Sequence, residues 1–131
     1  MKRKLSTLGL VLILSALIFS GCGPAKEVKL DASANGRQVE LQKGQTLVIT
    51  LESNPTTGFM WEVVELDESI LRLMGEAEFK AESKALGAPG VEILRFQAVN
   101  TGQTALELVY HRPWEEGEEP LETFSLQVVV R

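Results

Sequence analysis

Leu47, Ile49 and Leu51 alternate with Thr46, Val48 and Thr50, a period of two that leaves one face strongly apolar. The same period recurs in Leu94, Phe96 and Ala98, in Leu106, Leu108 and Tyr110, and in Phe124, Leu126, Val128 and Val130. Successive side chains of an extended backbone point to opposite sides, so each run predicts a half-buried strand. Between them fall clusters of turn formers: Lys43-Gly44, Asn54-Pro55, Gly87-Ala88-Pro89-Gly90, Asn100-Thr101-Gly102 and Glu116-Gly117. Shorter apolar runs at 39–41, 61–64 and 71–75, with a first short candidate at 28–30, complete the set. The pattern predicts an all-β protein, an immunoglobulin-like two-sheet β-sandwich of seven or eight strands. Residues 81–86 are too few for a stable helix and are expected as loop. Trp61 is expected to face inward as part of the core.

The N-terminal segment follows another rule. Lys2, Arg3 and Lys4 precede an uncharged run over 5–19, and Ser20 and Gly21 then lead to Cys22. A basic start, a short apolar run and small residues are the order of a secretory signal. The run falls short of the roughly 20 residues of a membrane span. Ile18-Phe19-Ser20-Gly21-Cys22 resembles a bacterial lipobox, with Phe19 where leucine is most common. That resemblance implies a lipid on the Cys22 thiol, and a protein exported and anchored to a bacterial membrane on its extracytoplasmic side. The expected division is a signal peptide over 1–21, the lipidated cysteine and a tether over 22–36, and the sandwich over 37–131.

Composition narrows the function. The chain has 131 residues, with 13 basic and 18 acidic side chains and a net charge of −5, a length suited to one domain. Without residues 1–21, 10 basic side chains face 18 acidic ones, a net charge of −8, which argues against a nucleic-acid partner. One cysteine and one histidine exclude an internal disulfide and a Cys/His metal site. Glu115, Glu116, Glu118 and Glu119 are crowded together rather than spaced as calcium ligands, and are read as a solvated hairpin tip. No metal and no cofactor is expected. His111 has no nucleophile motif near it, and the carboxylates form no catalytic pair, so the chain is not expected to be an enzyme.

Three connections have compositions that plain turns do not require. In Asn54-Pro55-Thr56-Thr57-Gly58-Phe59, Pro55 fixes one φ, Asn54 can bond its own backbone and Gly58 admits a positive φ, so two threonines stand on a stiff arch. Leu86-Gly87-Ala88-Pro89-Gly90 is rich in small residues, which let a backbone approach another surface closely. Arg112-Pro113-Trp114 follows the last alternating pair before an acidic turn. A tryptophan there is either buried or used in binding, and Arg112 is either used or paired with a neighbouring glutamate.

In order and approximate separation, these segments, with Trp61, resemble the three signature segments of the chagasin-type inhibitors of papain-like cysteine proteases. The resemblance spans nearly all of 37–131. Phe59 departs from it where tyrosine is common, and Pro89 stands within a glycine-rich loop. The resemblance implies a monomeric, reversible, non-covalent inhibitor whose partner is a papain-like cysteine protease. Asn54, Pro55, Thr56, Thr57, Gly58 and Phe59 would lie over the catalytic thiol–imidazole pair. Gly87, Ala88, Pro89 and Gly90 would line one half of the cleft, and Arg112, Pro113 and Trp114 the other. The competing expectation is a membrane-anchored adhesion or scaffold module on the same fold.

Overall fold

Each long alternating run becomes a strand with its apolar side turned into one shared core. The computed structural model describes residues 26–131, so the signal expected over 1–21 and Cys22 lie outside the described residues. Among the described residues nine strands form: β1 (Glu27–Leu30), β2 (Arg37–Leu41), β3 (Thr46–Ser53), β4 (Met60–Glu65), β5 (Leu71–Leu73), β6 (Glu78–Ala81), β7 (Gly90–Ala98), β8 (Gly102–His111) and β9 (Glu122–Val130). One sheet has the order β1-β3-β7-β5, with β6 also on β7, and the other has the order β2-β9-β8-β4. Two pairings, β1 with β3 and β2 with β9, are parallel. The remaining five are antiparallel.

The strand beyond the expected seven or eight is β6. Its four residues are all exposed, so it has no apolar face for a sequence pattern to reveal. It is held to β7 by backbone pairing, from Glu78 opposite Ile93 to Ala81 opposite Gly90. The stretch assigned to the tether also contributes to the sandwich. There β1 pairs with β3, and Asp31 caps a single 3-10 turn, Ala32–Ala34, whose Ala34 is buried.

The core joins both sheets. Leu47, Ile49 and Leu51 of β3 and Leu94, Phe96 and Ala98 of β7 face Leu106, Leu108 and Tyr110 of β8 and Phe124, Leu126, Val128 and Val130 of β9. Trp61 joins them at 6% exposure. Each such side chain contributes about 1.5–3 kcal/mol when fully buried. The resulting body is stiff without a disulfide.

Register then fixes where the connections emerge. Ser53 at the end of β3 lies opposite Gly90 at the start of β7. Met60 at the start of β4 lies opposite His111 at the end of β8, and Tyr110 lies opposite Glu122. The connections β3–β4, β6–β7 and β8–β9 therefore leave from one end. The described chain begins at the other, where Glu27 faces Thr46.

Candidate functional site

The first connection, residues 54–59, crosses from one sheet to the other and is braced internally. Asn54 accepts at Oδ1 from the Thr56 amide at 3.3 Å and from Thr56 Oγ1 at 2.6 Å. Thr57 Oγ1 donates to the Asn54 carbonyl at 2.6 Å. Pro55–Thr57 form a 3-10 turn closed by Gly58, whose φ of 83° is the left-handed conformation glycine adopts at no steric cost. The amide of Asn54 donates to the Tyr110 hydroxyl at 2.9 Å, which ties the arch to the core. The arch is preformed, and Thr56 and Thr57 stand exposed on it.

The third connection, residues 112–121, leans on the first. Arg112 donates from Nε to the Thr57 carbonyl at 2.9 Å and from Nη1 to Glu115 Oε1 at 3.0 Å. Its guanidinium carbon sits 4.5 Å from the centre of the Phe59 ring, a cation–π contact, and that ring stacks on Tyr110 at 5.3 Å. Arg112 is thus the ion-pair partner of a nearby glutamate and also the clamp between two loops. Trp114 is 67% exposed, so burial does not explain it. Its indole lies against Gly58 so closely that a β-carbon there would overlap the ring.

The second connection, residues 82–89, completes the rim. A β-carbon on Gly87, where φ is 74°, would stand 4.0 Å from the Thr56 methyl, so the second loop runs beside the tip of the first. Gly90 has a different local role. It is a buried residue of β7, where any side chain would run into the Lys80 carbonyl of β6. Leu86, which opens the second loop singled out in the sequence but is not among the residues the resemblance places in the cleft, projects fully exposed from it. The signal available for it was a lone large apolar residue beside Gly87 in a polar connection.

A second missed residue lies beneath the rim. Glu92 is 6% exposed, and its Oε2 accepts from the Trp61 amide at 3.1 Å. The Trp61 indole donates from Nε1 to the Glu52 carbonyl at 3.0 Å. Trp61 thereby donates one bond to each of two strands of the opposite sheet, just where the first loop ends. The sequence signal was a charged residue on the inward side of Gly90, Glu92, Leu94 and Phe96.

Asn54–Phe59, Gly87–Pro89 and Arg112–Trp114 therefore gather on one rim, with Gly90 in the strand below. Among the described residues no three His, Cys, Asp or Glu stand together as metal ligands. The Thr56 and Thr57 hydroxyls are spent on Asn54, and His111 sits 3.4 Å from Glu62 at the end of β8. The rim offers stiff, shaped protrusions rather than an activated nucleophile.

The profile of the chagasin family peptidase inhibitor I42 matches residues 40–128. Amoebiasin-2 of Entamoeba histolytica is 33% identical over 86 residues, 63% of this chain and 68% of that protein. Chagasin of Trypanosoma cruzi is 31% identical over 102 residues, 75% of this chain and 93% of that one. The crystal structure of the cysteine protease inhibitor EhICP2 from Entamoeba histolytica superposes with a TM-score of 0.70 at 27% identity, covering 80% of this chain and 95% of that one. With the family profile covering most of the sandwich, the chain belongs to the chagasin family of peptidase inhibitors.

Proposed function

We propose that this protein inhibits papain-like cysteine proteases reversibly and without a covalent bond, by setting its three-loop rim into the active-site cleft. It is a protease inhibitor and not an enzyme. Residues 54–59 would cover the catalytic thiol–imidazole pair, 87–89 would follow one half of the cleft, with Gly90 seating them from the strand below, and 112–114 the other, with Trp114 on an aromatic of the enzyme.

The observation that carries this reading is the bracing of the rim: Arg112 bonded to the Thr57 carbonyl, and Trp114 exposed against Gly58. A protease cuts a chain whose carbonyl can come within about 3–3.5 Å of its nucleophile in an aligned pose. A 3-10 turn locked by Asn54 and Pro55 occupies the space without presenting that pose. Rigidity supports affinity too, since little ordering entropy is lost on binding.

The experiment is titration of papain with residues 26–131. Activity should fall in proportion to added inhibitor, return on dilution, and leave the inhibitor uncut. Full papain activity at a large excess would leave the scaffold reading instead. Export and lipid attachment at Cys22 belong to the same proposal, supported by the order of residues 1–22. Cys22→Ala should move the protein from the membrane fraction to the soluble fraction of a bacterial host.

A further inference from the structure

Between the first and second loops lies a notch of about 330 Å³, lined among others by Glu52, Ser53, Asn54, Glu82, Tyr110 and Glu122. Ser53 closes the inward series Leu47, Ile49 and Leu51, and is 5% exposed. Its hydroxyl is buried and has no hydrogen-bond partner among the described residues. Buried hydroxyls in folded proteins are nearly always satisfied, so an orphan at the wall of a notch points to a group that completes it there.

The character of that group follows from its surroundings. Glu52, Glu82 and Glu122 enter none of the ion pairs among the described residues. Asn54 Oδ1 is already engaged by Thr56, and the Tyr110 oxygen by the Asn54 amide. What is left is the negative charge of three carboxylates outside any ion pair among the described residues, and those carboxylates are not arranged to hold a metal ion. A guanidinium or an ammonium group supplies several donors and the opposite charge at once.

We infer that this notch is a subsite for a basic side chain of the protease, an arginine or lysine on the wall of its cleft, which favours enzymes that carry one there. The inference rests on the cleft-plugging reading above, because the notch opens between two of the loops that would straddle the cleft. Charge pairing at such a position sets partner choice and association rate.

The test is a coupling experiment with papain. The intact inhibitor, the Glu82→Gln/Glu122→Gln variant and the Ser53→Ala variant are each titrated against papain and against papain variants in which the lysines and arginines bordering the cleft are changed singly to alanine. The doubly neutralised inhibitor should bind papain about ten-fold more weakly. Against one papain variant, and no other, that difference should vanish. Ser53→Ala should be several-fold weaker against papain and equal to the intact inhibitor against that same variant. A control, Glu27→Gln/Glu68→Gln, makes the same change in net charge away from the rim and should alter inhibition less than two-fold. Equal losses in the control and the notch variant would reveal general attraction only and overturn the subsite. Inhibition with no papain residue coupled to the notch would mean that it holds water only, and would overturn it as well. If the intact domain left papain fully active, the cleft-plugging reading itself would fall and take the subsite with it.

Discussion

Gly58→Ala separates what the rim contributes to binding from what it contributes to folding. Gly58 holds φ at 83°, and a methyl placed on it would overlap the Trp114 indole. The left-handed backbone costs an alanine about 1–2 kcal/mol. That cost is the same with and without a protease, so it lowers the melting temperature but not the affinity. For a domain of this size the drop is about 4–8 °C per kcal/mol. Affinity falls for another reason: the indole, 67% exposed, must leave its resting place against Gly58. If Trp114 anchors the complex, losing its placement costs about 2 kcal/mol, or about 30-fold in the inhibition constant. Trp114→Ala should show a similar loss with stability unchanged to within about 0.5 kcal/mol. The double variant is decisive. With the indole gone the methyl has nothing to displace, so the double variant should inhibit papain no worse than Trp114→Ala alone. Inhibition constants from progress curves, with thermal melts alongside, give both quantities. Additive losses in the double variant would refute the link between Gly58 and Trp114, and inhibition within two-fold for Trp114→Ala would refute the anchor.

Glu92→Leu strips the Trp61 amide of its buried acceptor and should weaken inhibition several-fold, while Glu92→Gln, which keeps an acceptor, should recover most of it. Equal defects in both variants would show that the hydrogen bond is not what positions the loop. Leu86 makes no buried contact, so Leu86→Ala should leave the denaturation midpoint in place, within about 0.5 kcal/mol, and raise the inhibition constant. An unchanged constant removes Leu86 from the contact surface. Asp31 and Asp67 each accept from a serine hydroxyl and amide, Ser33 and Ser69, which holds both carboxyls below the ordinary aspartate value of 3.8. Folding then favours the ionised forms, so their contribution is present above that pH and is lost as pH falls from there through the lowered folded-state value. Asp31→Asn/Asp67→Asn should flatten the acid side of a melting-temperature profile below about pH 4, and an unaltered profile counts against the assignment.

How much of this was legible depended on whether a residue's role left a mark in the pattern. β3, β7, β8 and β9 were plain because each has one dry face. β6 was not, because exposed Glu78, Phe79, Lys80 and Ala81 pair only through their backbone. The stretch after Cys22 has the small polar residues of a tether, and its place in the sandwich depends on a parallel pairing with β3 that no local pattern encodes. At the rim, the residue types of Asn54–Phe59 and Arg112–Trp114 announced themselves. Whether Arg112 serves binding or pairs with a neighbouring glutamate had no answer in sequence; the side chain pairs with Glu115, and its bond to the Thr57 carbonyl is a role that no local pattern encodes. Glu92 bonds 31 positions back along the chain, and only the juxtaposition of the two sheets gives its carboxylate a purpose.

The parallel run of β1 beside β3 decides which way the molecule points. Because Glu27 faces Thr46 while the first loop follows Ser53, whatever holds the chain upstream of Lys26 holds it by its blunt base. Five residues of chain from Cys22 to Glu27 reach at most about 18 Å, and the eight residues of β3 add roughly 25 Å more. With a lipid on Cys22, the working edge would stand outward like a key on a short chain, clear of the bilayer, where an approaching protease meets it first.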